Sequence, residues 1–225
     1  MLFPLIRSDN DLCALVEEVG FLPFFANEIE GFSVEECTPR ELWFSDNADG
    51  PWEWKGPVIR ATHCAYGKFY RGKTLYVSRK FFPDFANFRR DGYDYDARID
   101  DGLARNRDIP LMEELWKTPS LVSKEFKARV CFSEERKKSF DSSLTRLQAL
   151  GYINIADFEY ALDRHGKPYG WGLARYTTPE TFFGAEFSEN VYKNTPAQSY
   201  SKLSDYLRKL LPHASISQIE KILKI

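Results

Sequence analysis

Apolar residues in the C-terminal half of the chain recur at helical spacing in three successive blocks. The first block begins at Asp108-Ile109-Pro110, where proline suits the first helical turn, and it runs to Trp116, which we expect on the buried side. Between Leu121 and Val130 the apolar positions lie about four apart, which predicts a second helix. Gly151 ends a third helix in the left-handed position that suits glycine. This helix has four apolar residues on one face: Phe140, Leu144, Leu147 and Leu150.

A hairpin is predicted directly after the third helix. Residues 152–162 and 169–176 have strand character, and the segment between them includes Gly166, which favours a tight turn. Three short helices followed by a two-stranded wing is the order of a winged helix-turn-helix. The sequence therefore predicts an α+β protein with a winged helix from Asp108 to about Tyr176. The alternative is another kind of small α+β domain.

The N-terminal half has a mixed pattern. Ser8-Asp9-Asn10-Asp11 offers capping side chains for a first helix, and Ser33-Val34-Glu35-Glu36 matches a capping box. We expect an apolar loop at residues 21–25 and a helix or turn at residues 81–88. Further strands are predicted in between, with Arg71-Gly72-Lys73 as a hairpin turn. The three predicted strands cover residues 57–62, 64–70 and 74–78.

These patterns divide the chain into three parts. Residues 1–102 form a small mixed α/β part that contains the three strands. Residues 103–184 form the winged-helix domain, and residues 185–225 form a helical extension. Two amphipathic helices are predicted in that extension, over residues 195–211 and 215–225.

The composition favours a cytoplasmic protein. No stretch approaches the roughly 20 apolar residues that a membrane span needs, and the N-terminus lacks the features of a secretory signal. The four cysteines are isolated, whereas zinc ribbons and redox dithiols need close pairs. We therefore expect reduced thiols, no membrane association, no metal site and no cofactor. The cysteines are Cys13, Cys37, Cys64 and Cys131.

Charge is distributed unevenly along the chain. Residues 8–50 carry eleven acidic side chains against one cation, Arg40, whereas residues 51–225 carry 29 Lys or Arg against 22 acids. A surface for nucleic acid therefore belongs in the second part, because the acidic part would repel phosphate. The alternative is that the two parts simply attract each other.

The polar face of the third helix is the candidate DNA contact. A recognition helix turns its non-core face toward the major groove, and the wing reaches phosphate or the minor groove. We therefore expect double-stranded DNA as the partner, although a basic helix face is often only solvated. The predicted contacts are Lys137, Lys138, Ser142, Thr145 and Arg146 on the helix, with Arg164 and Lys167 at the wing tip.

Four stretches of the sequence carry a family resemblance. Residues 50–56 (GPWEWKG), 64–68 (CAYGK), 85–93 (FANFRRDGY) and 169–176 (YGWGLARY) resemble bacterial proteins described as AlkZ-related. These proteins are similar to the AlkZ/YcaQ-type winged-helix DNA glycosylases, which release alkylated or cross-linked bases. The resemblance covers most of residues 8–184. It implies a winged-helix fold and an ancestry in DNA repair.

The catalytic signature of those glycosylases is missing. Their motif is Gln, an apolar residue, then Gln or Asp, which activates water against the glycosidic carbon. Gln148 and Gln198 do not match it, and Gln218-Ile219-Glu220 comes nearest but lies in the terminal amphipathic helix. The resemblance therefore supports the fold more than the activity.

Trp52-Glu53-Trp54-Lys55 is a candidate base-stacking segment. If the segment is extended, Trp52 and Trp54 share one face, where two indoles could stack on a base. The alternative is that both rings pack in the core. Glu53 is the nearby carboxylate that could serve a flipped base as an acid.

Asp94 and Asp96 belong to the densest group of carboxylates, together with Asp100 and Asp101. Such a group could hold a hard metal ion, but it lacks the closing Glu of an EF-hand loop, and we expect no metal there. Asp96 remains, with Glu53, a candidate catalytic acid.

These observations predict a winged-helix protein that binds duplex DNA and is non-catalytic or weakly catalytic. One alternative is an active base-excision glycosylase that uses Glu53 or Asp96. Another is an interaction module whose wing and aromatic surfaces bind a protein partner, because winged helices also serve that purpose.

Overall fold

The computed structural model describes residues 3–44, 49–166 and 168–225. Besides the strands and α-helices, a short 3₁₀ helix covers Arg40–Leu42. The strands are β1 (Phe21–Pro23), β2 (Ala65–Tyr70), β3 (Lys73–Val77), β4 (Ser120–Val122), β5 (Asn154–Leu162) and β6 (Pro168–Thr177). The helices are α1 (Asp9–Val19), α2 (Val34–Cys37), α3 (Pro51–Thr62), α4 (Phe82–Arg90), α5 (Tyr95–Asp100), α6 (Ile109–Lys117), α7 (Ser123–Val130), α8 (Glu134–Ala149), α9 (Pro179–Phe183), α10 (Ala185–Asn190), α11 (Pro196–Leu210) and α12 (Ile216–Leu223). The α+β class is confirmed.

The first antiparallel sheet has the strand order β1-β3-β2. Strands β2 and β3 form the predicted hairpin, and both Arg71 (φ 50°) and Gly72 (φ 79°) have the positive φ that a two-residue turn requires. Strand β1 pairs with β3, with Phe21 opposite Val77. The prediction of a loop at residues 21–25 was therefore wrong for the first three residues, since their backbone completes the sheet edge.

Residues 57–62, predicted as a strand, lie in helix α3. Pro51 occupies the first turn, and the Glu53 carboxylate accepts the Gly50 N–H at 3.0 Å, so the start of the helix is well capped. Val58 and Ile59 are buried, and the helix packs against α1 and β5. Their β-branched side chains favour strands in isolation, but burial against a neighbouring helix outweighs that preference.

The second antiparallel sheet has the order β4-β6-β5 and packs against α7, which also contacts α6 and α8. The three helices and the β5–β6 hairpin are confirmed. Leu121, predicted in the second helix, instead lies in β4 opposite Tyr176. Trp116, predicted on the buried side, is 45% exposed, because Leu115 takes the inward position and Trp116 follows about 100° around the helix.

The C-terminal helices pack on the first sheet. The two predicted amphipathic helices are confirmed as α11 and α12, and α11 packs against α4. The buried amide of Asn87 donates to the Asn194 carbonyl at 2.7 Å and to the Ser199 hydroxyl at 3.0 Å. Two hydrophobic clusters form the core. One joins α4, α11 and α12 to the first sheet, and the other joins α1, α3 and residues of both sheets. Within the described ranges, none of the helices has the length and apolar character to cross a bilayer.

Candidate nucleic-acid interface

The first two turns of α8 project into solvent. Ser133 caps the helix by accepting the Arg136 N–H at 3.3 Å, and the turns that follow carry exposed cations. Lys137 pairs with Glu134 at 2.6 Å, an exposed pair that water can readily exchange. Lys138 is exposed, and no ion pair joins it to any residue that the structure describes. This half of the helix is available to a ligand.

The last two turns of α8 are held inside the molecule. The Lys68 amino group donates to the Thr145 hydroxyl at 3.3 Å, which ties the helix to β2. Arg146 binds Asp108 with two hydrogen bonds, of which the Nε–Oδ2 bond is 2.7 Å. The Asp108 side chain is 3% exposed and that of Arg146 is 18% exposed. The structure therefore places both predicted DNA contacts, Thr145 and Arg146, in internal bonds, because their partners come from distant parts of the chain.

Two surface grooves flank this half of α8. The larger, of about 540 Å³, is lined by Ser142 and Thr145 together with Arg71 of the β2–β3 turn. The smaller, of about 310 Å³, is lined by Arg146 with Arg98 and Arg105. A further cleft, lined by Arg107 and Arg136 among other residues, lies beside the start of α8.

The cations that the structure brings to α8 were missed from the sequence. Arg105-Asn106-Arg107 directly precedes α6, far from α8 along the chain, and Arg98 lies in α5. The signal that the sequence offered was a pair of arginines, Arg105 and Arg107, just before the first helix predicted in the C-terminal half. Arg107 shares a cleft with Arg136 at the start of α8, whereas Arg98 and Arg105 share a groove with Arg146 near its end. Lys138 is exposed in the first turns of the same helix.

The wing tip is exposed. Arg164 donates from Nε to the ring of His165 at 3.0 Å, and Gly166 takes the positive φ of 76° that the turn requires. Arg164 is exposed and remains a predicted phosphate contact. Lys167, the other predicted contact, lies outside the described residues.

The two tryptophans of the predicted stacking pair do not share a face, because the segment is helical and two residues turn it by about 200°. Trp54 is 4% exposed and packs in the core, so it has no ring face free for a base. Trp52 lies at the edge of an aromatic cluster, with ring centroids 5.6 Å from Trp43 and 6.0 Å from Trp171. Trp171, on β6, is 78% exposed. The sequence missed it as a stacking candidate.

Lys55 is a further residue that the sequence did not single out. Its amino group lies 4.3 Å from the ring centroid of Phe158, 4.9 Å from that of Trp52 and 5.9 Å from that of Phe24. Burial among these rings lowers the pKa of Lys55 from 10.5 to about 8, although the charge of Glu53 opposes this shift. A substantial fraction of this amine is therefore neutral near pH 8.

Replacing Lys55 with methionine is expected to stabilise the fold by about 2 kcal/mol at pH 7. Each tenfold change in proton affinity corresponds to about 1.4 kcal/mol, and we reduce the full value because the amino group keeps some solvent and ring contact. The unfolded lysine binds its proton more tightly, so the gain is complete below pH 8 and fades as the pH rises toward 10.5. Urea unfolding of both proteins at pH 7 and pH 10 measures it; an equal gain at both values would contradict the charge argument.

The family model described as AlkZ related matches residues 6–224. The chain belongs to the AlkZ-related family. Among solved structures, this AlkZ-related chain is similar to the Streptomyces sahachiroi DNA glycosylase AlkZ, at 13% sequence identity and a TM-score of 0.45. The match covers 97% of this chain and 59% of that one, so the chain spans less than two thirds of the glycosylase. No curated protein matches it.

The three glutamines of this AlkZ-related chain are held by structural hydrogen bonds. Gln218, in the nearest approach to the glycosylase motif, accepts the Ser215 N–H at 2.7 Å and donates to the Glu28 carbonyl. Gln198 caps α11 in the same manner. Gln148 accepts the Lys68 backbone N–H at 3.1 Å. These amides serve helix starts and packing.

The two candidate acids sit in the first turns of different helices. Glu53 accepts the Gly50 N–H at the start of α3 and is exposed. Asp96 is exposed in α5, whose N-cap is Asp94, which accepts the Ala97 N–H at 2.8 Å. In the part of the chain that the structure describes, no three His, Cys, Asp or Glu side chains gather into a group that could hold a metal ion.

Proposed function

We propose that residues 109–177 form a winged helix that binds duplex DNA through the first two turns of α8. The support comes from the element order, in which α6, β4, α7 and α8 precede the β5–β6 hairpin. In helix-turn-helix proteins the N-terminal residues of the recognition helix reach the base edges. The N-terminal half of α8 is the half that solvent reaches here, while its C-terminal half is packed.

The observation that carries the proposal is the set of cations along this helix. Arg136 and Lys138 are exposed in the first turns of α8, Arg107 shares a cleft with Arg136, and Arg105 lines the groove beside Arg146. Cations from separate elements along one helix match a phosphate backbone, since each neutralised phosphate releases counterions and adds affinity. Ser142 adds a hydroxyl toward the groove side, and Arg164 extends the same surface to the wing.

The other two parts of the chain act as supports in this proposal. Residues 1–102 carry the acidic N-terminal segment, which repels phosphate and so helps to keep DNA on the side of α8. Residues 103–184 are the DNA-binding part. Residues 185–225 pack on the first sheet through α11 and α12.

Charge reversal at Lys138 and Arg105 tests the proposal. We expect Lys138→Glu and Arg105→Glu each to weaken binding to a duplex of about 20 base pairs by about tenfold near 0.1 M salt. Each substitution removes a phosphate contact, so the slope of log affinity against log salt should fall by about 1 per contact. Fluorescence anisotropy across about 50 to 200 mM salt measures both quantities.

Lys209→Glu is the matched control, since Lys209 is an exposed cation on α11. Its affinity should stay within about twofold of the parent protein. Equal losses for all three variants would indicate a non-specific effect of net charge. No binding to any duplex at low salt would overturn the proposal and leave a protein partner for the same surface.

A further inference from the structure

Lys55 lies where helix α3 meets the β5–β6 hairpin. Phe158 comes from β5, Trp52 from α3 and Phe24 from the segment after β1, so three separate parts of the chain surround one amino group. Among the described residues, that amino group has neither a carboxylate within ion-pair distance nor a hydrogen-bond acceptor. A structural lysine ordinarily keeps its ammonium in water or against an acid, whereas this one is largely enclosed by rings and has no acid beside it.

The aromatic enclosure continues to the surface of the hairpin. Trp52 contacts the largely exposed Trp171 in an edge-to-face arrangement, with interplanar angle 90°. The Tyr160 ring packs over Gly172, where an added Cβ would come within 2.8 Å of it, and its hydroxyl lies 3.4 Å from the Trp52 carbonyl. Trp52 contacts both Trp171 and Lys55, so a ligand that stacks on Trp171 lies close to the Lys55 side chain.

The charges around Lys55 leave its amine without a fixed partner. Its own helix contributes Glu53, which caps the helix start, and Arg60, which is paired with Asp157 of β5. Strand β5 also contributes Tyr160, whose pKa is raised by burial and then by Glu53, so its hydroxyl stays protonated at neutral pH. The pKa of Lys55 itself falls to about 8 because of burial. Neutral amines are nucleophiles toward carbonyl carbon, and a buried lysine is the usual source of one.

We propose that Lys55 is a nucleophilic amine that condenses with the aldehyde of an abasic site in duplex DNA. The inference rests on the proposed DNA binding, because the ring-opened sugar of an abasic site is an aldehyde carried by duplex DNA. The Lys55 nitrogen forms a bond to C1′, the carbonyl oxygen leaves as water with the two amine protons, and an imine joins protein and sugar. Trp171 stacks on an adjacent base, which holds the sugar near the amine.

Reductive trapping tests this proposal. The probe is a duplex with one abasic site, incubated with the full chain and sodium borohydride, which reduces an imine to a stable secondary amine. We expect a covalent protein–DNA adduct whose tryptic mass maps to Lys55. Its yield should increase with pH through about 8, as the neutral amine increases. Lys55→Met and Lys55→Arg should lower the yield at least about tenfold, since neither side chain supplies a neutral amine.

Lys80→Met is the matched control. The Lys80 amino group also lies over a ring, 5.1 Å from the Phe81 centroid, but it is exposed. This variant should give the same adduct yield as the parent chain. Two Lys55 variants are used so that one misfolded protein, detected by circular dichroism, does not decide the result. An adduct that persists in both folded Lys55 variants overturns the proposal.

A second probe separates this proposal from the DNA-binding proposal. Formaldehyde with cyanoborohydride methylates reactive amines without DNA, and we expect Lys55 to react several-fold faster than Lys80 at pH 8. If the chain binds the abasic duplex but gives no adduct, the role of Lys55 is overturned and DNA binding stands. If no duplex binds while Lys55 is still selectively methylated, DNA binding fails and so does DNA as the source of the aldehyde.

Discussion

Replacing Arg146 with alanine is expected to lower the free energy of unfolding by about 3 to 5 kcal/mol. The substitution leaves the Asp108 carboxylate, which is 3% exposed, without the two hydrogen bonds that Arg146 donates. A buried charge that loses its partner costs more than the pair contributed, because it must be desolvated alone. Urea unfolding followed by tryptophan fluorescence measures the change.

Lys137→Ala is the control on the same helix. Lys137 pairs with Glu134, whose side chain is 78% exposed, and we expect a change within about 0.5 kcal/mol. Arg146→Lys should recover only part of the stability, since an ammonium cannot form the two-pronged contact. A loss below about 1 kcal/mol for Arg146→Ala would show that Asp108 finds water or another donor. Any loss of DNA binding by this variant would then need a different explanation from unfolding.

Replacing Arg89 with methionine should cost about 4 kcal/mol. The buried guanidinium donates to the carbonyls of Ala149 at 2.8 Å, Phe69 at 2.8 Å and Ile222 at 3.0 Å, and to that of Leu223. These carbonyls belong to residues at or next to the C-terminal ends of α8, β2 and α12. Each buried acceptor that loses its donor costs about 1 to 3 kcal/mol, and partial rearrangement reduces the sum.

Thermal unfolding and amide hydrogen exchange measure the effect of Arg89→Met. We expect faster exchange in α12 and in the last turn of α8, since Arg89 joins them. Arg208→Met on the exposed face of α11 is the control, with an expected change within about 0.5 kcal/mol. Unchanged protection of α12 would mean that hydrophobic packing alone holds this helix, against our expectation.

Local patterns were enough to predict most of the helices. The apolar face of α8, its end at Gly151 and the hairpin after it are short-range features, because caps and periodicity act within a few residues. The same holds for α11 and α12, whose capping boxes are visible in the sequence. The family resemblance was also visible in the sequence, from four short stretches.

Contacts between distant residues decided the rest. Residues 57–62 became part of α3 since α1 buries their apolar side, and the strand that they were expected to form is supplied by β1. Arg146 was predicted to face DNA, but Asp108, 38 residues earlier, binds it. The Lys55 amino group is buried by rings from β5 and from the segment after β1. Arg105 lies beside α8 although the two are far apart in the sequence.

The sequence by itself determined the three helices and the hairpin between Asp108 and Tyr176 and the two terminal amphipathic helices, and that the third helix carries cations. The tertiary structure decided which of those cations are free, which are paired inside, and which others lie beside them. The physical reason is that a side chain's solvent contact and charge partner depend on neighbours far along the chain. The periodicity of a single helix carries no information about those neighbours.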